Sequence, residues 1–201
     1  MLRVGLTGGY ATGKSFVGSV LADLGCHVIK ADELGHAVLA PDGEAYESVV
    51  KEFGGAILKE DRTIDRRRLG ELVFGNPERL AKLNSLVHPP VFRRQEDWFA
   101  AVAKSDPTGI AVAEAAIMIE TGSHVRYQKL IVAVCDEKQQ IERAMDRDHL
   151  TREQVMARLE RQMPLAEKIR LADYVIDTSG TKQDTAARTE QVWQLLRKIP
   201  Q

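Results

Sequence analysis

The sequence predicts an α/β fold in which a parallel sheet is flanked by helices. Short apolar runs recur at residues 2–7, 27–31, 110–114, 130–134 and 174–176. Near-continuous apolar runs are typical of parallel strands that are covered on both faces. Stretches with apolar residues at helical spacing separate these runs. A glycine-rich turn joins the first run to a helical stretch, so strand, loop and helix follow one another as this fold requires.

The first half of the chain is expected to contain two strands and a long helical block. The strand at 2–7 leads through the glycine-rich turn to a helix near 16–24, and the strand at 27–31 follows. Residues 33–105 carry apolar side chains mostly at helical spacing. Proline and glycine mark the expected breaks in this block, at Pro41, Gly54-Gly55, Asn76-Pro77 and Pro89-Pro90.

The second half returns to alternating strands and helices. After the strands at 110–114 and 130–134, the spacing predicts a charged helix over 136–148. Thr151 is a suitable N-cap for the next helix, and Pro164 divides that helix from a third. A short strand at 174–176 precedes a terminal helix near 183–198. The organisation is therefore a parallel sheet with a helical insertion after its second strand and a shorter Arg-rich helical segment later.

Composition limits the classes of function. The 201 residues are 44% hydrophobic, which is enough for one compact α/β domain. Lys plus Arg number 28 and Asp plus Glu number 29, so no global charge attracts nucleic acid or an anionic membrane. No stretch approaches the length that spans a bilayer, and the chain begins with a strand rather than a signal peptide. We expect a cytoplasmic protein that binds neither nucleic acid nor membrane.

A phosphate-binding loop is the most informative motif. The pattern Gly-x-x-x-x-Gly-Lys-Ser is matched by Gly8, Gly9, Tyr10, Ala11, Thr12, Gly13, Lys14 and Ser15. Such a loop directs backbone N–H groups at phosphate oxygens, at the positive end of the following helix. The lysine reaches the β- and γ-phosphates, and the serine hydroxyl binds the magnesium ion that bridges them. The loop and the adjoining Phe16 are therefore expected to bind a nucleoside triphosphate with Mg²⁺.

Two acidic residues follow predicted strands next to this loop. Ligands of open α/β sheets bind outside the carboxyl ends of the strands, so Asp32 is well placed to meet an acceptor hydroxyl. It would act there as a base or as an orienting group. The alternative, equally open from position alone, is that Asp32 caps the next helix. Glu114 ends the third strand and is expected to hold magnesium through water, with a base role as a second possibility.

Arginines are concentrated in the second helical segment. Arg143, Arg147, Arg158 and Arg161 fall on consecutive predicted helices, with Arg143 and Arg147 on one face. A mobile segment that carries guanidinium groups can stabilise the charge that develops on a transferring phosphoryl group. These helices are therefore expected to form a lid. The alternative is a solvated helix face, in which arginines alternate with Glu142 and Asp146.

The cysteines and histidines indicate no metal centre. Cys26 and Cys135 lack redox or ligand spacing, and each lies beside a predicted strand, so buried packing is expected. The five histidines include no pair at ligand spacing. We therefore expect no zinc site built by the protein.

These motifs together resemble the dephospho-coenzyme A kinases over nearly the whole chain. The most distinctive elements are the His88-Pro89 pair and the spacing of the arginines. The resemblance extends over the phosphate loop, Ala31-Asp32, Ile64-Asp65-Arg66, Leu69, Val73-Phe74, Leu83 through His88-Pro89, Glu114, Glu120-Thr121-Gly122, Gln140 through Arg143, Arg147-Asp148, Arg158, Gln162 and Ala172 through Ile176.

The resemblance implies a three-layer P-loop kinase fold and an ATP-dependent phosphorylation of the ribose 3′-hydroxyl of dephospho-coenzyme A. It implies a single kinase domain with a core at 1–32, 108–136 and 172–201, an acceptor-binding helical insertion at 33–107 and a lid at 137–171. Catalytic roles fall on Lys14, Asp32, Arg143 and Arg147. Acceptor contacts fall on Asp32, Arg66, His88, Arg93 and Arg94. Whether the protein is a monomer or a small homo-oligomer stays open.

The chain departs from the family pattern in several positions. Phe16 stands where threonine usually follows the loop serine, and Lys30 replaces an acid before Ala31-Asp32. Glu114 replaces aspartate, Thr178 replaces an asparagine, and Phe92 replaces an arginine that often follows the His-Pro element. Ala115 to Ile119 also differ from the usual Pro-Leu-Leu stretch. These differences concern metal geometry, adenine contacts and acceptor contacts.

Other functions fit the same residues less well. A GTPase switch would use Asp-x-x-Gly, which Asp32-Glu33-Leu34-Gly35 spells, but Asp32 follows Lys14 too closely and the guanine-binding Asn-Lys-x-Asp sequence is absent. A nucleoside monophosphate or shikimate kinase would share the loop and lid without the His88-Pro89 element. A phosphate-binding module without catalysis has little use for Asp32 or for an arginine lid.

Overall fold

The structure is a computed structural model that describes residues 1–200. Strands and helices alternate along the chain, except between β2 and β3, where several helices follow one another. In chain order the elements are β1 (Leu2–Gly8), α1 (Lys14–Asp23), β2 (His27–Lys30), α2 (Ala31–Val38), α3 (Tyr46–Phe53), a short 3₁₀ turn (Gly55–Ile57), α4 (Arg66–Val73), α5 (Pro77–Ser105), β3 (Ile110–Glu114), a second 3₁₀ turn (Ser123–Arg126), β4 (Lys129–Val134), α6 (Glu137–Asp148), α7 (Arg152–Leu159), α8 (Leu165–Leu171), β5 (Tyr174–Asp177) and α9 (Lys182–Leu196).

The five strands form one parallel sheet in the order β2-β3-β1-β4-β5. The chain leaves β1 toward β2 and β3 on one side, and later enters β4 and β5 on the other. β1 therefore stands at the topological switch point, where open α/β sheets bind ligands beyond the strand ends. In register, Glu114 pairs with Leu6 and Lys30, and Gly8 pairs with Ala133. The predicted α/β class with a parallel sheet flanked by helices is confirmed.

Among the described residues, 1–30 and 101–200 form one compact unit, and residues 31–100 form a second. In the first unit, apolar side chains of the sheet pack against α1 and α9. The buried set includes Val4, Leu6, Val17, Leu21, Ile131, Ile176, Val192 and Leu196. Each of these residues exposes less than a tenth of its surface. The hydrophobic effect therefore holds α1 in its position immediately after the loop.

The second unit is a helical cluster built by α2, α3, α4 and most of α5. Its buried residues are Val38, Ala45, Tyr46, Val49, Ile57, Ile64, Leu69, Val73 and Val91. The expected breaks near Pro41 and Asn76-Pro77 are confirmed. Asn76 accepts hydrogen bonds from the N–H groups of Glu78 and Arg79, and Pro77 begins the helix, where no N–H is required.

The expected break at Pro89-Pro90 is wrong. α5 continues through both prolines from Pro77 to Ser105. A proline inside a helix costs about 3 kcal/mol because it removes an N–H and crowds the preceding turn. Downstream of these prolines, however, α5 buries Val91 and Phe99, so tertiary packing retains the helix.

Caps set the starts of the later helices. Asp136 caps α6 by accepting from the N–H groups of Lys138 and Gln139. Thr151 caps α7 in a reciprocal capping box with Gln154, as the sequence predicted for its N-terminus. Pro164 separates α7 from α8, which is also confirmed.

Both cysteines are free and buried, as expected. Burial raises the pKa of the Cys26 thiol to about 12, and mainly burial also raises that of Cys135. Neither thiol is therefore primed as a nucleophile. Within residues 1–200, no helix combines the length and the apolar character needed to cross a membrane.

Candidate active site

The loop between β1 and α1 has the backbone shape of a phosphate cradle. Gly13 adopts φ 76°, in the left-handed region that glycine enters without strain, immediately before the first helical residue Lys14. A Cβ on Gly8 would lie 2.6 Å from the carbonyl oxygen of Ala133. Glycine is therefore required at both ends of the loop, by conformation at Gly13 and by close backbone approach at Gly8.

Lys14 and Ser15 converge on one carboxylate. The Lys14 ammonium lies 2.6 Å from Oε1 of Glu114, and the Ser15 hydroxyl donates to the same oxygen at 2.6 Å. The Lys14 and Glu114 side chains are only 11% and 4% exposed, so this ion pair is largely desolvated. The structure thus brings together three residues that the sequence predicted to meet the phosphates and their metal.

The same group of residues fits a magnesium ion. Oε2 of Glu114 is buried and has no hydrogen-bond partner, and a Cβ on Gly18 would lie 2.8 Å from it. A hard cation such as Mg²⁺ prefers carboxylate, hydroxyl and water oxygens. Glu114 and the adjoining Ser15 hydroxyl supply two of these ligand types, directly or through water. Among the described residues, no group of three or more His, Cys, Asp or Glu side chains could hold a metal by itself.

Two glutamines hold the tip of the loop by its backbone. The N–H of Tyr10 donates to Oε1 of Gln162 at 2.7 Å, and the carbonyl of Tyr10 accepts from Nε2 of Gln140 at 2.6 Å. Gln140 lies on α6, and Gln162 follows α7. The helices that carry the arginines are therefore hydrogen-bonded to the phosphate loop itself.

The Tyr10 side chain extends this contact to the arginines. The guanidinium carbons of Arg147 and Arg158 lie 5.1 and 5.4 Å from the centre of the Tyr10 ring, within cation–π distance. The Tyr10 hydroxyl donates to Asp148 and accepts from Arg158 at 2.9 Å. Arg147 forms two hydrogen bonds of 2.9 Å with Asp148. Loop, α6 and α7 thus share one cluster of alternating charge.

The contacts in this cluster shift the pKa values of Asp148 and Tyr10. The hydrogen bonds from Arg147 and then Tyr10 hold the pKa of the Asp148 carboxyl well below its usual range. Burial and the hydrogen bond to Asp148 raise the pKa of the Tyr10 hydroxyl. Asp148 therefore stays ionised, Tyr10 stays protonated, and Arg147 and Arg158 each have an anion near the loop.

Arg143 is held differently from Arg147. Its guanidinium donates to both the hydroxyl and the carbonyl of Thr178, at 3.2 and 2.9 Å. The buried Thr178 hydroxyl in turn donates to the carbonyl of Thr12 at 2.8 Å. Arg143 thus supports the loop through Thr178, a residue that the sequence analysis marked only as a departure from the family pattern. Phe16 contacts the neighbouring helix, with the Lys182 ammonium 5.8 Å from its ring.

In the helical unit, Asp32 lies in the first turn of α2, which begins at Ala31. Asp32 is therefore inside the helix rather than at the capping position before it. Its neighbour His36 lies one turn further on. Burial and then the charge of Arg66 lower the pKa of His36, and Asp32 raises it. Two predicted acceptor residues, Asp32 and Arg66, therefore both act on His36, which the sequence analysis did not single out although it is four residues after Asp32.

The remaining predicted acceptor residues lie on α5. His88 is half-buried, its ring centre is 5.7 Å from that of Phe92, and burial lowers the pKa of its imidazole. Arg94 forms an ion pair with Glu44 at 2.8 Å, and Arg93 is exposed. Arg94 therefore already has a carboxylate partner.

Sequence reasoning missed one buried pair. Lys168 on α8 is 0% exposed and lies 2.7 Å from Glu120. Nothing in the charged segment 165–171 indicates that this lysine, rather than its exposed neighbours, faces inward. Gln162 lies beyond the end of α7, so its spacing of four from Arg158 does not place both residues on one helix face, and its contact with Tyr10 follows from the tertiary structure.

A parallel sheet with this strand order, a phosphate loop at its switch point and a lysine-serine-carboxylate group define the P-loop kinase class of α/β protein. A shikimate kinase from Bacteroides thetaiotaomicron has a related fold, with a TM-score of 0.50 at 15% identity and coverage of 97% of this chain and 98% of that chain. That likeness concerns the fold alone.

Relatives specify the family. The sequence profile of dephospho-CoA kinases matches residues 2–184. A dephospho-CoA kinase of Aquifex aeolicus is 36% identical over 200 residues, which cover 100% of both chains. One from Geobacillus kaustophilus is 38% identical over 200 residues, covering 98% of this chain and 99% of its own. The chain therefore belongs to the dephospho-CoA kinase family, as its motifs predicted.

Solved structures agree. The dephospho-CoA kinase from Campylobacter jejuni is 28% identical, with a TM-score of 0.72 over 98% of this chain and 97% of that one. The Thermus thermophilus protein TT1252 is 29% identical, with a TM-score of 0.86 over 99% of this chain and 98% of that one.

Proposed function

We propose that this protein transfers the γ-phosphoryl group of ATP to the ribose 3′-hydroxyl of dephospho-coenzyme A, giving coenzyme A and ADP. This is the last step of coenzyme A synthesis. The observation that carries the proposal is the family match over residues 2–184. The loop geometry supports it, because Lys14 and Ser15 converge beside a buried carboxylate at the switch point of the sheet.

The phosphate loop binds the triphosphate of ATP. Its backbone N–H groups and the positive end of α1 neutralise the β- and γ-phosphates, and the Lys14 ammonium stabilises the charge on the transferring group. Lys14 exchanges its contact with Glu114 for one with phosphate oxygens. A lysine suits this exchange because its ammonium is a point charge on a flexible stem.

Ser15 and Glu114 would hold magnesium with the nucleotide. When bound, the ion neutralises charge on the β- and γ-phosphate oxygens. The unpartnered Oε2 of Glu114 supports this assignment, because a buried carboxylate oxygen requires a cation or a donor. Glutamate at this position, in place of the usual aspartate, reaches one methylene further.

Asp32 acts on the acceptor. Its carboxylate accepts the proton of the ribose 3′-hydroxyl while that oxygen forms a bond to the γ-phosphorus, and the bond to the bridging oxygen of ADP breaks. Its exposure in the first turn of α2 supports this role, since the carboxylate can meet a substrate without breaking a core contact. A loose transition state asks little of a base, so orientation of the hydroxyl is part of the role.

The arginine helices form the lid, and the helical insertion binds the acceptor. Arg147 and Arg158 stabilise developing phosphoryl charge, and the support for this is their position around Tyr10 of the loop. Arg143 supports the loop through Thr178. In the insertion, Arg66, His88, Arg93 and Arg94 bind the phosphate-rich end of dephospho-coenzyme A. The reaction requires Mg²⁺ and takes place in the cytoplasm.

An ADP-release assay with a panel of acceptors tests this function. Dephospho-coenzyme A should be phosphorylated faster than AMP, CMP, adenosine or shikimate at equal concentrations, and release should stop when EDTA removes Mg²⁺. The control is ATP without acceptor, which measures hydrolysis alone. Faster turnover of AMP or CMP than of dephospho-coenzyme A would overturn the proposal.

A further inference from the structure

Lys168 is a charged side chain without exposure to solvent. It lies on α8, and its side chain is 0% exposed. A buried ammonium is costly unless each of its three N–H donors has an acceptor. Three oxygens lie within reach of its Nζ: Oε1 of Glu120 at 2.7 Å, the carbonyl of Ala116 at 3.1 Å and the carbonyl of Gly8 at 3.4 Å.

The two carbonyls lie at the end of β1 and just beyond the end of β3, which are neighbouring strands. Gly8 ends β1 and begins the phosphate loop, and Ala116 lies two residues after Glu114 of β3. The Ala116 carbonyl also accepts from the hydroxyl of Thr7 at 3.3 Å. One ammonium group therefore joins the loop side and the carboxylate side of the predicted phosphate site.

The contact with Gly8 has a direct effect on the loop. A trans peptide group is planar, so its C=O and the N–H of the next residue point in opposite directions. When Lys168 fixes the carbonyl of Gly8, it also fixes the direction of the N–H of Gly9. That N–H belongs to the loop whose backbone donors surround phosphate.

Glu120 compensates the charge of Lys168. Its Oε1 also accepts from the N–H of Met163 at 3.1 Å, while Oε2 is buried without a hydrogen-bond partner. Lys168 therefore makes two kinds of contact. Its charge neutralises that of Glu120, and its ammonium binds the two carbonyls. These two kinds of contact can be separated by substitution.

We propose that Lys168 is a positioning residue for nucleotide binding and phosphoryl transfer, because it fixes the carbonyls of Gly8 and Ala116 and so aligns the phosphate loop with Glu114. This inference rests on the proposed kinase function for its turnover effect. Its effect on nucleotide binding stands independently of the acceptor.

The first test removes the ammonium. Lys168→Met keeps the unbranched stem of the side chain but removes the terminal ammonium and leaves Glu120 without its counter-ion. We expect Tm to fall by roughly 6 to 20 °C, as for other broken buried pairs in a chain of this size. At a temperature well below that Tm, kcat should fall by about 10- to 100-fold, because small displacements of positioning groups have effects of this size. The affinity for ADP, measured by calorimetry, should fall by about tenfold or more.

The second test separates positioning from charge neutralisation. In Lys168→Met with Glu120→Met, both charges are replaced by apolar groups, which is often neutral for stability. We expect the double variant to recover most of the lost Tm but neither kcat nor ADP affinity. Glu120→Gln, which leaves Lys168 on the two carbonyls, should keep kcat closer to that of the wild type than Lys168→Met does.

The matched control is Lys129→Met, which breaks a partly exposed ion pair of the same 2.7 Å length with Asp173. It should change none of the three measurements. Wild-type kcat and ADP affinity in the double variant, or an equal loss of kcat in Glu120→Gln and Lys168→Met, would overturn the inference. If wild-type protein binds ADP but does not phosphorylate dephospho-coenzyme A, the proposed function fails, while the ADP affinities still decide the role of Lys168.

Discussion

The phosphate loop and the helical unit of residues 31–100 present their site residues in different ways. In the loop, Tyr10 is bound at its N–H, its carbonyl and its hydroxyl, and Lys14 and Ser15 share one carboxylate oxygen. In the helical unit, Asp32, Arg66 and Arg93 lie exposed on helix surfaces.

This difference indicates that the two regions have different roles in the proposed reaction. A nucleotide common to many enzymes is bound by backbone groups in a preorganised frame, where alignment lowers the barrier. In the proposed function, exposed side chains select the acceptor, and these side chains do not need to be preorganised before the acceptor binds. Substitutions in the first region should therefore affect kcat, and substitutions in the second should affect the KM of the acceptor, with Asp32 as the exception.

The largest effect is expected for Lys14→Ala. Removal of its charge from the transferring group should lower kcat by roughly 2–4 orders of magnitude. The fold should persist, although Glu114 loses an ion-pair partner, and circular dichroism checks this. Lys129→Ala, at a partly exposed strand residue outside the loop, is the control. Near-normal turnover of Lys14→Ala would refute the phosphate-loop assignment.

Asp32→Asn tests the one residue of the helical unit that we expect to affect kcat rather than the KM of the acceptor. The amide keeps the shape of the side chain but cannot take a proton, so kcat for dephospho-coenzyme A should fall by roughly 2–4 orders of magnitude. ATP binding should change little. Glu33→Gln, in the same helical turn, should keep full activity. Equal activity of the two variants would leave Asp32 with only the stabilising effect of an acid at a helix start, and a smaller fall would mean that it mainly orients the hydroxyl.

Two of the four predicted lid arginines, Arg143 and Arg147, lie on α6 and test the comparison within one helix. Arg147→Ala should lower kcat by about 10- to 100-fold with a smaller change in acceptor KM, since its contact strengthens as charge develops. Arg143→Ala should also lower kcat, but it should raise the KM for ATP as well, because it releases Thr178 and through it the carbonyl of Thr12. Wild-type kcat in both variants would identify a solvated helix face instead of a lid.

For the predicted acceptor residues we expect a smaller effect, which is confined to the KM of the acceptor. His88→Ala should raise the KM for dephospho-coenzyme A by about tenfold, a free-energy change of about 1.4 kcal/mol, and should spare the KM for ATP. Lys104→Ala, at the end of the same helix, controls for general effects on α5. An equal rise in both KM values would show that His88 supports the fold rather than the acceptor.

Acid should weaken the cluster around Tyr10. The folded-state pKa of Asp148 is depressed, so its ion pairs stabilise the protein above the unfolded pKa of about 3.9 and lose this effect as pH falls below it. The difference in Tm between the wild type and Asp148→Asn should therefore be largest near neutral pH and shrink below about pH 4. A difference that does not depend on pH would contradict this account of the Asp148 charge.

Much of the fold could be predicted from local patterns. Apolar runs located all five strands to within a few residues, and Thr151 and Pro164 marked real helix boundaries. The error at Pro89-Pro90 has a physical cause: a local rule about the missing N–H was overridden by burial of residues further along α5, such as Phe99. The roles of the predicted acceptor residues stay predictions.

The sequence by itself determined the parallel α/β class, the phosphate loop and the family, because each depends on residue types at fixed short spacings. Only the tertiary structure decided that Glu114 meets Lys14 and Ser15, that Arg143 holds Thr178 while Arg147 holds Asp148, and that Lys168 is buried against Gly8, Ala116 and Glu120. Apart from the contact between the neighbours Arg147 and Asp148, these contacts join residues far apart in the chain. Periodicity gives the face of a helix but not which distant backbone groups that face will meet, so packing alone could select Lys168 from the charged residues around it.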